Sequence, residues 1–131
     1  MNTPVWLCDG VVLDIHELQI DRHGGTGGVR DPGGLEGAIR RPETIHAYSD
    51  GLCSVAELAA ALAVGLAKGH YFLDGNKRSA CVAALLFLRI NGCELAVSDD
   101  ELATVFEDVA RSAMSEAALA DWIRRNTVEG R

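Results

Sequence analysis

Residues 54–92, SVAELAAALAVGLAKGHYFLDGNKRSACVAALLFLRING, hold the longest apolar stretches of the chain with a charged interruption between them. Ser54 and Glu57 have the spacing of a capping box. The segment they open, VAELAAALAVGLAKG, is rich in Ala and Leu and apolar on nearly every face. Such a helix belongs in the middle of a fold. A second buried helix is predicted over SACVAALLFLRIN, closed by Gly92. Between them His70, Asp74, Asn76, Lys77 and Arg78 crowd into nine positions. Because both neighbours read as buried, this loop sits at a rim held by the core, and Phe72 is placed to anchor it with a buried ring.

The rest of the chain reads outward from that pair. At 131 residues a single domain spanning 1–131 is expected. Asp9-Gly10, between Val5-Trp6-Leu7 and Val11-Val12-Leu13, has turn chemistry and suggests a short N-terminal β-hairpin. Asp14 with Glu17 has the spacing of a helix start, giving a first helix over about Ile15 to His23, ended by Gly24. Residues 24–34 are so rich in glycine that they form a loop. Leu35 to Arg41 reads as a short helix stopped by Pro42, with another turn or two over Glu43 to Tyr48. Ser98 with Glu101 opens a helix to about Met114, and Ser115 opens a last one through Trp122 to Asn126. The fold class is therefore all-α, mainly helical, with two central buried helices flanking the charged loop.

The formal net charge of −7 argues against direct nucleic-acid binding, which leaves a basic footprint. Cys8, Cys53, Cys81 and Cys93 form no CxxC and fit no zinc framework, so reduced thiols in a cytoplasmic protein are expected. MNTPVWLCDG lacks a basic start and a long apolar stretch, and Ala80 to Leu88 is too short to span a bilayer. No secretory signal and no membrane association are expected.

The charged loop has the residue types a nucleotide site needs. Asn76 is a natural N-cap for the helix that follows. The N–H groups of that helix start, with the positive end of its dipole, attract phosphate. Lys77 and Arg78 add two full charges there, and Arg can grip phosphate oxygens in parallel. Gly75 allows a tight turn. Asp74 can hold a magnesium ion shared with phosphates, and His70 has an ordinary pKa suited to proton abstraction. Other motifs fail. The loop lacks the Walker A pattern. His16-Glu17-Leu18-Gln19-Ile20 has isoleucine where HExxH needs its second histidine, so His16, His23 and His46 read as surface or capping residues. Asp99-Asp100-Glu101 is explained by a helix N-terminus.

HYFLDGNKR resembles the Fic/Doc family signature HxFx[DE]GN[GK]R at every defined position. The flanking RHGGTGGVRDPGGLEGAI and LLFLRINGCEL segments resemble the Doc branch, and the likeness runs from about Asp14 to the last helix. The resemblance implies the helical Fic fold. It also separates two activities. Fic-type AMP transferases continue as GNGRxxR, whereas here the second glycine is Lys77 and the second arginine is Cys81. Lysine is the Doc pattern. It implies a toxin of a Phd–Doc toxin–antitoxin module that transfers the γ-phosphate of ATP to a threonine of elongation factor Tu and stops translation. Carried over, His70 is the base, Asp74 the Mg²⁺ ligand, and Asn76 with the Gly75 backbone the phosphate cradle. Lys77 and Arg78 stabilise the transition state, and Lys68 is a further phosphate contact. The glycine-rich loop is either a connector or a flap that aligns the target by strand addition. A Phd-like antitoxin inserting a helix into an apolar groove is the expected partner, and regulation is expected in trans. The alternatives are AMP transfer and a catalytically silent binding domain.

Overall fold

The computed structural model describes residues 3–130. Six helices and a two-stranded ribbon follow in the order α1 (Asp9–His23), α2 (Pro32–Tyr48), α3 (Val55–Lys68), α4 (Asn76–Ile90), β1 (Cys93–Leu95), α5 (Asp99–Ala110), α6 (Glu116–Asn126) and β2 (Thr127–Glu129). The mainly helical class expected from the sequence is what forms. α3 is the central rod. Its Ser54 capping box is complete, with Glu57 N–H donating to Ser54 Oγ at 3.1 Å and Ser54 N–H donating to Glu57 Oε1 at 3.2 Å. Leu58, Ala59, Ala60, Ala61, Leu62, Ala63 and Leu66 are all buried, so α2, α4, α5 and α6 pack around it. α4, expected as a second buried helix, is buried along one side. Ser79, Ala80, Ala83, Ala84, Phe87 and Leu88 form its inner stripe, while Arg89 and Ile90 are exposed.

Three expectations need correction. No hairpin forms at the N-terminus: Asp9 and Gly10 lie in the first turn of α1. Asp9 suits the positive end of the helix dipole as well as it suits a turn, and Val12, Ile15, His16 and Gln19 supply a buried face at helical spacing. Asp14 is consequently inside the helix and caps nothing. The second correction is Pro42, which does not end α2 but lies within it. Proline in a helix interior costs about 3 kcal/mol. Here Leu35, Ala38, Ile39 and Pro42 are one buried stripe, and burying it outweighs the lost hydrogen bond. Third, α5 ends at Ala110, followed by a turn in which Ser112 has φ +61°.

α2 also begins at Pro32 rather than Leu35, inside the stretch expected to be a loop, with Pro32 in the first turn and the Asp31 carboxylate accepting from Gly34 N–H at 3.0 Å. β1 and β2 pair antiparallel, Cys93 with Glu129, Glu94 with Val128 and Leu95 with Thr127. Among the described residues all four cysteines are free. Burial pushes the Cys81 thiol up to about 11, so it stays neutral and packs as a small apolar group. No described helix is long and apolar enough to cross a membrane.

Candidate active site

The loop of residues 69–75 joins the central rod to α4, and three devices hold it. Phe72 is 1% exposed, so the loop hangs from a buried ring. The Asn76 side chain closes it: Oδ1 accepts from Phe72 N–H at 3.0 Å, and Nδ2 donates to Phe72 O at 3.0 Å. Tyr71 lies against bare backbone. A Cβ at Gly69 would stand 2.0 Å from its ring and one at Gly34 2.5 Å, so glycine is needed at both.

Asn76 is therefore not the N-cap. It is the first residue of α4, and the cap is Gly75, in the left-handed region at φ +75° with no side-chain cap hydrogen bond. Ser79 N–H reaches Gly75 O at 3.0 Å, which leaves the N–H groups of Asn76, Lys77 and Arg78 without intrahelical partners. With the dipole behind them, these donors are an arrangement that favours anions. The Asn76 amide clasps Phe72 through its oxygen and one N–H, and its backbone N–H is a further donor at the helix start.

The charged side chains divide into free and paired ones. Among the described residues, His70, Arg78 and Lys68 are exposed and make no hydrogen bond or ion pair. His70 has φ +53°, an uncommon conformation for a residue with a Cβ. Lys77 instead pairs with Glu107 on α5. That hydrogen bond and the Lys77 charge hold the Glu107 carboxyl below its ordinary 4.5.

Asp74 is exposed, and its Oδ2 accepts from Thr26 N–H at 2.9 Å. No hydrogen bond occupies its other oxygen among the described residues. Among the described residues no group of three or more His, Cys, Asp or Glu gathers to cage a metal. A single carboxylate with a free oxygen beside an anion site suits Mg²⁺, which is bound by one or two carboxylates together with substrate phosphates. The residues fit the ion.

The glycine-rich segment is no free connector. Val29 forms an antiparallel bridge with Phe72, Leu73 N–H donates to Gly28 O at 3.1 Å, and Arg30 N–H donates to Tyr71 O at 2.7 Å. It thus runs antiparallel alongside the motif loop, joined to it by a single bridge.

His16 carries the largest difference from the sequence reading. Far from the surface, it is 4% exposed, stacked on Phe72 at 3.7 Å between ring centroids, with Nε2 2.7 Å from Asp74 O. Its place with Val12, Ile15 and Gln19 on one helical stripe was the available signal, obscured because two of the four are polar.

A sequence model of the Fic/DOC family matches residues 6–88, and the chain belongs to that family. Within it the chain is similar to the protein named "Protein kinase doc" of Escherichia phage P1. Identity is 39% over 114 residues, covering 87% of this chain and 89% of that protein. It is also 41% identical over 98 residues to "Toxin Doc" of Mycolicibacterium smegmatis, covering 75% of this chain and 71% of the relative.

Proposed function

We propose that this chain, working as one domain, is a Doc-like toxin of a toxin–antitoxin system and acts as a protein kinase. It transfers the γ-phosphate of ATP to a Thr or Ser hydroxyl of a translation factor, with elongation factor Tu as the target. The observation that carries the reading is the uncapped start of α4, with Arg78 unpaired and Lys77 alongside, next to an unpartnered His70. The names of two relatives, one a kinase and one a toxin, support the same direction.

The chemistry follows from those positions. The ATP phosphates lie against the N–H groups of Asn76, Lys77 and Arg78, with Lys68 as an outer contact. Asp74 would hold Mg²⁺, which would neutralise phosphate charge. The His70 imidazole takes the proton of the target hydroxyl, whose oxygen forms a bond to the γ-phosphorus as the bond to the β–γ bridging oxygen breaks. ADP leaves, and Arg78 with Lys77 stabilises charge on the phosphoryl group in flight. Positioning and electrostatics supply most of the acceleration in such transfers. Residues 24–31 serve as the flap that aligns the target segment, a reading supported by the bridge between Val29 and Phe72 of the motif loop.

The partner is a Phd-like antitoxin whose helix enters an apolar groove. A groove between α1 and α2, lined by Leu13, Val29, Pro32, Leu35 and Ile39 with Asp9 and Glu36 beside them, supports this reading. With a net charge of −7, DNA binding falls to that partner, and the toxin works in the cytoplasm. The test is to feed the purified protein and elongation factor Tu with ATP labelled at the α- or the γ-position. Label arriving from the γ-position, and lost in His70→Ala, is expected. Label arriving only from the α-position identifies an AMP transferase and sinks the kinase reading.

A further inference from the structure

We infer that His16 is a positioning residue of this site: it fixes the orientation of the Asp74–Gly75 peptide and so aims the Gly75 N–H into the phosphate cradle. The inference rests on the nucleotide reading above for what the cradle binds, but its geometric part stands alone.

A carbonyl oxygen only accepts, so at 2.7 Å from Asp74 O the His16 Nε2 carries a proton and donates. The ring cannot swing away. It is 4% exposed and lies parallel to Phe72, with 5° between planes. The peptide is planar and trans, so its C=O and N–H point in opposite directions. Drawing the Asp74 C=O inward to α1 therefore turns the Gly75 N–H outward, on the side away from His16. Among the described residues that N–H has no acceptor, which makes it a fourth free donor beside those of Asn76, Lys77 and Arg78.

Among the described residues no other hydrogen bond reaches the Asp74–Gly75 peptide. Gly75 at φ +75° has no Cβ to resist a flip of the preceding plane. Thr26 N–H holds only the Asp74 side chain, and Asn76 holds only Phe72. α1 also supplies the floor beneath the turn. A Cβ on Gly75 would stand 3.6 Å from His16 Cδ2 and 3.3 Å from Ile20 Cδ1. His16 and Ile20, one helical turn apart, thus leave room for the turn and tie it to a rigid element.

Three substitutions separate aiming from packing. His16→Phe keeps a ring against Phe72 and removes the donor, and His16→Leu is a second donor-free side chain should the first not fold. His16→Gln keeps an amide N–H at similar reach and loses the stacking. The first readout is the amide spectrum without nucleotide. In wild type and His16→Gln the Gly75 resonance should be single. In the donor-free variants it should broaden or split, with Asn76 following. Unchanged Gly75 and Asn76 resonances in a folded donor-free variant overturn the inference, whatever the protein binds. The second readout is Mg²⁺–ATP affinity by calorimetry. The donor-free variants should bind about tenfold more weakly, the worth of one aimed hydrogen bond, and His16→Gln should return to within about threefold of wild type. Affinity that instead tracks melting temperature across all variants, His16→Gln included, shows a packing role and also overturns it. A wild-type protein that binds no ATP refutes the nucleotide reading separately, leaving the amide spectrum to decide on His16.

Discussion

The starts of α3 and α4 solve one problem in opposite ways. Ser54 and Glu57 satisfy the first donors of α3 reciprocally, and Ser98 and Ser115 each accept from the N–H three residues on to cap α5 and α6. At α4 the chain places Gly75, which has no side chain to accept anything, and follows it with Lys77 and Arg78. Capping chemistry is thus available in this sequence and is withheld at α1 and α4; α1 opens with the acidic Asp9, whereas α4 opens with two cations. Free donors at a helix start weaken the fold slightly and attract an anion strongly. The α3 start contributes stability; the α4 start keeps its donors open, as the proposed nucleotide site requires.

The largest effect should come from the residue beside the open start. His70→Ala is expected to lower phosphotransfer by about 100-fold or more, the usual contribution of a positioned base, read by γ-label transfer and by loss of growth arrest in cells without antitoxin. Its φ of +53° adds a second expectation. Glycine is ordinarily about 0.5–1 kcal/mol less stable than alanine in regular structure. At this left-handed position His70→Gly should instead be at least as stable as His70→Ala by chemical denaturation. A clearly less stable glycine variant would show that the site stores no backbone strain.

Closing the open start should come next. Gly75→Asp adds an acceptor and a negative charge at the cap, where φ +75° strains any residue with a Cβ by about 1 kcal/mol. We expect Mg²⁺–ATP affinity to fall by about tenfold or more, from anion repulsion and filled donors, with no gain in stability. Ser54→Ala is the mirror experiment. It should cost about 1 kcal/mol of stability and leave nucleotide affinity unchanged. If the two variants behaved alike, the contrast between the helix starts would collapse.

How much of this the sequence shows depends on how local each feature is. The capping box at Ser54 and Glu57 is legible because both partners lie within one helical turn. The stretch from His70 to Arg78 is legible because its chemistry is contiguous. Pro42 and Asp9-Gly10 mislead for a shared reason: local propensity favours a break, and burial of Leu35, Ile39, Val12 and Ile15 overrides it. Asp74 O and His16 Nε2 meet across 58 residues, Thr26 and Asp74 across 48, and Cys93 pairs with Glu129. No periodicity within one segment encodes such meetings. Asn76 shows the finer limit. Its residue type allows either capping or clamping, and only the left-handed Gly75 before it decides for the clamp.

The smallest effect concerns Lys77, the one cation at the open start that already has a partner. Glu107 sits on α5, outside the motif, and both side chains are about half exposed, so the pair is screened by salt and adds little to stability. A phosphate arriving at α4 must compete with that carboxylate for the lysine. Glu107→Gln should therefore tighten Mg²⁺–ATP binding by roughly two- to threefold at low ionic strength, the gain fading as salt rises past about 0.15 M. The pH dependence has a definite sign. Lys77 holds the Glu107 carboxyl below its ordinary 4.5, so whatever the contact adds to the folded state is present above that value and is lost as pH falls through the lowered one. Wild type and Glu107→Gln should then converge in stability on acidification and differ most near neutral pH. Equal nucleotide affinities at low salt would mean that Lys77 leaves Glu107 without cost, and the difference between the two helix starts would rest on Gly75 and Arg78 alone.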